Sequence, residues 1–216
     1  MSQIALSSPE QSSPPAIKLG AAVVLAVWFI AIVMLGAAGR FVGPPGSPPV
    51  QIAAGFMGPV AIFLLLYWRS LAFREWILTA DLRTIMAMQA WRFAGFGFLA
   101  LYAHHILPGH FALPAGLGDI AIGVTAPLML IALLKRPDFA SSRTFVFWNL
   151  LGILDLFVAV GSGGLDAFLA TGAAGEISTT PMAQLPLLLI PVYFVPIFLM
   201  LHIAALLQAR NWRKTH

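Results

Sequence analysis

The sequence predicts an all-α integral membrane bundle of six transmembrane helices, with both termini cytoplasmic and a short interfacial helix between the second and third spans. Three observations predict it. Charged residues make up 9% of the 216 and hydrophobic residues 60%, whereas a soluble domain carries about 25% charged residues to cover its surface. Six apolar stretches are long enough to cross a bilayer, which takes ~20 helical residues at 1.5 Å each. The basic residues gather in alternate loops.

Residues 1–17, MSQIALSSPEQSSPPAI, are dominated by Ser, Pro and Gln and read as a disordered tail. The membrane domain is expected over 18–208. Lys18 precedes the first span, 19–39, whose apolar run exceeds the roughly 7–15 residues of a signal-peptide core. The stretch RFVGPPGSPPV, 40–50, cannot continue a helix. The second span, 50–68, contains Gly55, Gly58 and Pro59, which packed membrane helices tolerate. Residues 67–83 mix Arg69, Arg74 and Arg83 with Trp68 and Trp76, the pattern of a helix lying in the headgroup layer.

The third span is expected over 84–107 and contains Arg92. A tight turn at PGHFALP leads to the fourth, 113–134, and a basic loop, KRPDFASSR, to the fifth, 144–162. A Gly-rich stretch with Asp166 and Glu176 follows, at 161–181. The sixth span, 182–208, is interrupted by Pro186, Pro191 and Pro196, which kink helices and free carbonyls. A basic cytoplasmic tail, 209–216, ends the chain.

Ten of the twelve Lys and Arg residues fall in the N-terminal tail, the 69–83 and 135–143 loops and the C-terminal tail. Arg40 alone lies on the other side and Arg92 lies inside a span. The positive-inside rule then orients all six spans. A seven-span chain would have to bury the charges of 70–83. The lipid bilayer is the expected partner. The basic residues are absorbed by topology, and no basic, aromatic-interleaved face for nucleic acid is present. Without cysteine there are no disulfides or thiolate sites. Nucleophile-elbow, phosphate-loop and His-Glu-x-x-His signatures are missing, so no catalytic residue and no cofactor is assigned.

Ionisable groups inside a span cost ~2.5–3.5 kcal/mol each, so each needs a partner or a purpose. The candidates for binding a proton or small solute are Arg92, Asp119, Asp155, Asn149, His105, His110 and His202, with Gln89 and Thr125 as neutral company. Counted at 1.5 Å per residue, Arg92, Asn149, Asp155 and His202 lie about 8–16 Å from the cytoplasmic ends of their spans. Asp119 lies only about 9 Å from the outer end of its own. Two clusters are therefore expected. In one, Arg92 meets Asp155, either as a packing ion pair or as an anion or proton site, and the sequence leaves open whether its partner is Asp155 or Asp119. In the other, Asp119 faces His105 and His110 across the turn, as a proton-linked group, a metal site, or a helix start beside headgroup histidines. Spans four and five share a Gly-x-x-Asp motif (Gly116–Asp119 and Gly152–Asp155), in which a glycine one turn away lets another chain come close.

Arg92, FALPAGLGD (111–119) and WNLLGILD (148–155) together resemble uncharacterised bacterial multi-spanning inner-membrane proteins, over residues 84–162. The resemblance implies a multi-pass location in the bacterial inner membrane and no established activity. From the residues themselves three functions are expected to compete. One is a small transporter binding a proton or small solute at the Arg/Asp/His cluster. The second is a structural or sensory subunit whose charges hold helices together. The third is a membrane enzyme with a metal at His105, His110 and Asp119.

Overall fold

The computed structural model describes residues 15–215. Among them the chain is all-helical. The helices are α1 (Pro15–Ala37), α2 (Val50–Arg69), α3 (Leu71–Thr79), α4 (Leu82–Gln89), α5 (Phe96–Ala103), α6 (Gly109–Lys135), α7 (Arg143–Leu169) and α8 (Val195–Thr215). Single-turn 3-10 segments occur at Ala90–Gly95, Pro137–Ser141 and Thr180–Ala183, and a π-helical turn at Ile190–Phe194. Five helical stretches are long and apolar enough to cross a membrane: Leu19–Ala37, Val50–Arg69, Gly109–Lys135, Arg143–Leu169 and Ile190–Arg213. The expected third span is helical but not one helix. It runs as α4, a 3-10 turn holding Arg92, and α5.

Several expected boundaries move. The tail expected at 1–17 lies outside the described residues for 1–14, and its last residues already belong to α1. The C-terminal tail is a continuation of α8 rather than a separate segment. Helix α6 begins at Gly109, not at 113: Pro108 is extended and caps it, and the helix continues through Pro114. Helix α7 runs on to Leu169 through Gly161, Gly163 and Gly164. Glycine lowers helix propensity, but packing decides here: Gly163 faces the Phe111 ring and Gly164 faces Pro49.

Side-chain caps set the starts. Ser70 accepts from the Phe73 amide (3.2 Å) and starts α3, and Ser142 accepts from the Phe145 amide (3.1 Å) and starts α7. Asp81 starts α4 by accepting from the amides of Arg83 (3.0 Å) and Thr84 (3.3 Å) and from the Thr84 hydroxyl (2.7 Å). Partial burial pushes the Asp81 carboxyl up, but these hydrogen bonds and the Arg83 charge outweigh it and hold the carboxyl below its usual range. The C-terminus of α5 is closed by a Schellman motif: the Ile106 amide reaches Leu101 O and the His105 amide reaches Tyr102 O, both at 2.9 Å. His105 takes the left-handed position at φ 56°, where glycine is usual.

Apolar clusters fill the bundle at successive levels. One holds Phe63, Met86, Ile122, Ala126, Phe145 and Ala205. Another holds Phe98, Leu107, Phe111, Ala112 and Ala115. Along α6 the first begins at Ile122 and the second ends at Ala115. Asp119 stands at the boundary between them. Helix α1 packs only along one edge, where Trp28 and Phe29 contact the Tyr193 ring and the Tyr193 hydroxyl donates to Leu25 O (3.2 Å).

The caps give two expected outcomes. His105→Gly leaves stability unchanged or slightly raised in detergent unfolding, whereas His105→Val lowers it by ~1–2 kcal/mol, because a β-branched residue resists the left-handed region. Asp81→Ala lowers stability by ~0.5–1 kcal/mol at pH 7. Because the folded carboxyl is depressed, this contribution is present above the unfolded value of ~3.9. It fades as pH falls through the lower folded value, so the two proteins converge in acid.

Candidate functional site

Arg92 stands on the 3-10 turn between α4 and α5, where its guanidinium projects into the bundle and is fully enclosed. Its Nε donates to Asp119 Oδ1 of α6 at 2.7 Å. One terminal nitrogen donates to Asp155 Oδ2 of α7. The other donates to the Gly152 carbonyl (3.3 Å) and to His202 Nε2 of α8 (3.1 Å). One side chain thus ties three long helices to the interrupted span.

The order of hydrogen bonds fixes the histidine. Asn149 Nδ2 donates to the Phe145 carbonyl at 2.9 Å, which turns Oδ1 toward His202 Nδ1, 2.9 Å away. That oxygen can only accept, so Nδ1 carries the proton. Nε2 is then the lone-pair nitrogen that accepts from Arg92. His202 is a neutral imidazole, held edge-on to Trp148 with ring centroids 5.4 Å apart. Trp148 in turn donates to Thr125 Oγ1 (2.8 Å), whose hydroxyl donates to Ala121 O (2.6 Å). Thr125 therefore orients the tryptophan rather than joining the charges. Gln89 donates to Phe198 O (3.2 Å), and its Oε1 is buried without a hydrogen-bond partner.

The close approach depends on glycines. A Cβ on Gly118 would overlap the Asp155 carboxylate, and one on Gly152 would overlap the His202 ring. A Cβ on Gly123 would strike the backbone of Arg92 and Phe93, and one on Gly116 would come 2.9 Å from Gly95 O. The Gly-x-x-Asp spacing suggests a second backbone close to each acid; Gly116 meets one, at Gly95 O, whereas Gly152 meets the His202 side chain. Gly116 admits the 3-10 turn beside Asp119, and Gly152 admits His202 beside Asp155. The contribution of Gly118 and Gly123 carries no signal of its own in the sequence.

The two expected clusters are one. Asp119 does not face His105 or His110; it meets Arg92. The shift follows from the earlier start of α6, which puts Asp119 about 15 Å along the helix and level with the guanidinium. His105 is an exposed capping residue. His110 pairs instead with Asp166 near the end of α7 (Nε2 to Oδ1, 2.7 Å). Asp166 also accepts from the Thr179 amide (2.6 Å), and the Thr179 hydroxyl donates to Gly163 O (2.7 Å), so this pair fastens the loop after α7. Glu176 closes the same loop. It accepts from the amides of Thr171 (2.9 Å), Gly172 (2.7 Å) and Ala173 (3.3 Å), and these bonds, the Thr171 amide foremost, hold its carboxyl below the usual range. Among the described residues no three His, Asp or Glu side chains gather as a metal-ligand set. The set His105, His110 and Asp119 is therefore not assembled.

The charges do not cancel. Asp119 and Asp155 are two carboxylates beside one guanidinium, and His202 is neutral. With both acids ionised the cluster carries one net negative charge. Its open part is confined to the acids: the Asp119 and Asp155 side chains are 17% and 15% exposed, against 0% for Arg92. Asp119 Oδ2 and Asp155 Oδ1 carry no hydrogen bond from any described residue. The arrangement can accept a proton or a cation at the acids while the arginine stays fixed.

The glycines are testable by alanine. Gly123→Ala is expected to lower stability by ~1–3 kcal/mol, as overpacking does when a backbone stands in the way. Gly58→Ala, where a Cβ meets nothing within 4 Å, is expected to be neutral or to gain ~0.4–1 kcal/mol. Unfolding of both in the same detergent decides.

No curated protein and no solved structure matches the chain. A family model, described as a domain of unknown function (DUF8737), matches residues 49–210 and so takes in every member of the cluster. The match spans most of the sequence, and the chain belongs to this DUF8737 family.

Proposed function

We propose that the chain is a small multi-pass transporter of the bacterial inner membrane that binds a proton or small cationic solute between Asp119 and Asp155. The observation that carries this reading is the unequal charge count. An enclosed guanidinium faces two acids whose outer oxygens are unpartnered, and a charge left unbalanced at membrane depth is costly. One bound positive charge removes that cost. The supporting feature is the form of the helices. The site lies beside a 3-10 interruption at Arg92, and the last span is broken by a π-helical turn. Interrupted helices near the bilayer midplane are where membrane carriers build their sites, and such turns recur at functional positions. The topology belongs to the same proposal. The path α4–α5 is the sixth crossing, α3 lies at the interface, and the basic loops place both termini in the cytoplasm.

A second reading rests on a specific observation too. Arg92 engages four groups on two long helices and α8, as a packing clamp would. In that case the chain is a structural or sensory subunit, and both acids serve only the arginine.

Proteoliposomes with an imposed pH gradient separate the two. Wild type is expected to collapse the gradient at least ten-fold faster than Asp155→Asn and Asp119→Asn, with all three folded. Wild type no faster than empty vesicles, or Asp155→Asn equal to wild type, sinks the transport reading. Under the clamp reading, Arg92→Leu and Asp155→Leu each cost ~3–5 kcal/mol. Their coupling in a double-mutant cycle then stands well above ~0.5 kcal/mol, and no variant shows a flux defect.

A further inference from the structure

We infer that the chain has a second site, separate from the charge cluster: a cavity that binds a small uncharged aromatic molecule. The cavity has a volume of about 160 Å³. It lies where α2 and α6 begin and α7 ends, and the proline-rich 41–49 segment and the segment leading to α8 complete its walls. Among the described residues no ionisable side chain lines it, and Asp119 and Asp155 stand outside it. Pro44, Pro45, Ala53 and Thr180 are exposed walls at the loop end of the bundle, whereas Phe98, Phe111 and Val195 are buried. The cavity is therefore entered from the loops.

The walls select the ligand. The Ser47 hydroxyl donates to Pro44 O (2.6 Å), the Thr179 hydroxyl donates to Gly163 O (2.7 Å), and the Thr180 hydroxyl is paired with that of Ser178 (2.8 Å). The prolines of the wall bring no N–H. A charged ligand would surrender its hydration here and recover little. Water that enters is held as poorly, and displacing poorly held water by an apolar group gains affinity. The rings favour a flat occupant. Phe98 and Phe111 meet edge to face with centroids 5.6 Å apart, and Met182 belongs to the same apolar cluster. An aromatic ligand extends this edge-to-face set and meets the thioether, which an aliphatic chain does not. A cavity of about 150 Å³ admits a benzene-sized molecule.

The site is formed in advance. The Thr179 amide is fixed to Asp166 (2.6 Å). Gly172, at φ 75°, stands so close to Pro45 that a Cβ would come within 2.7 Å of it. These contacts hold the two mouth segments without a ligand, so binding spares the cost of ordering them.

Fluorobenzene is the probe, read by its fluorine resonance with purified protein in detergent, and n-hexane and benzoate are the competitors. Wild type is expected to give a saturable bound resonance that detergent alone does not. n-Hexane should compete about three-fold less strongly than unlabelled benzene, and benzoate about ten-fold less or weaker. Ala159→Leu, which fills the cavity, should remove the bound resonance, and Ala167→Leu serves if that variant does not fold. A nuclear Overhauser effect from the ligand to the Met182 methyl group places the ring in wild type without any substitution. No saturable resonance, no contact with Met182, a resonance that persists in a folded leucine variant, or n-hexane or benzoate competing as well as benzene overturns the inference.

Discussion

A guanidinium enclosed in a helical bundle has five N–H donors that must find acceptors within the protein, and meeting that demand organises the centre of this molecule. Arg92 obtains its acceptors from Asp119, Asp155, the Gly152 carbonyl and His202. Each acceptor fixes the level of a helix. Asp119 sets how far α6 stands relative to the 3-10 turn, Asp155 and Gly152 set α7, and His202 sets α8. The apolar clusters on either side then pack in the register that the arginine allows.

The glycines follow from the same demand. An arginine reaching three helices at once needs backbones closer than side chains normally permit. Gly95 and Gly116 meet where the 3-10 turn touches α6, Gly123 passes the Arg92 backbone, and Gly152 makes room for the imidazole. The 3-10 geometry of residues 90–95 serves this approach, since its narrower coil lies against α6 where a wider α-helical turn would stand further off. Asn149 completes the arrangement from the far side. By holding His202 in the tautomer that accepts at Nε2, it keeps a second positive charge away from Arg92.

Much of this is legible in the residues because apolar length and isolated charge follow simple rules. Apolar length marked the five long helices, and Arg92, Asp155, Asn149 and His202 announced themselves as polar groups that lipid would not tolerate alone. Asp119 is visible for the same reason, but the sequence leaves its partner open between Arg92 and the histidines, and the structure gives Arg92. Its depth depended on where α6 begins, and Pro108, Gly109 and Pro114 read as a turn while only Pro108 is extended. His105 and His110 are then its expected company, although the first caps α5 and the second pairs with Asp166 across a sequence gap no local pattern reveals. The 3-10 turn left no trace in an apolar run, since hydropathy does not distinguish one helical coil from another. Gly118 and Gly123 were silent for a related reason: a glycine shows its purpose only against what stands opposite.

The excess acid separates a clamp from a working site. A lone Arg–Asp pair neutralises itself, and Gly152 O with His202 Nε2 supplies neutral acceptors for one terminal nitrogen of the arginine. The second carboxylate answers one more nitrogen of the arginine, but it does so with a charge whose desolvation is costly, where a neutral acceptor would have served the hydrogen bond alone. It also sits at the only members of the ionic cluster that retain exposure, the arginine being sealed. Both acids are closely packed, Asp155 against Gly118 and Asp119 against Gly95, yet the clamp does not use up their oxygens. Asp119 and Asp155 turn one oxygen each to the arginine and leave the other unpartnered. On the reading proposed above, the arginine is the fixed charge that keeps both acids in place, and the positive charge that comes and goes is the solute.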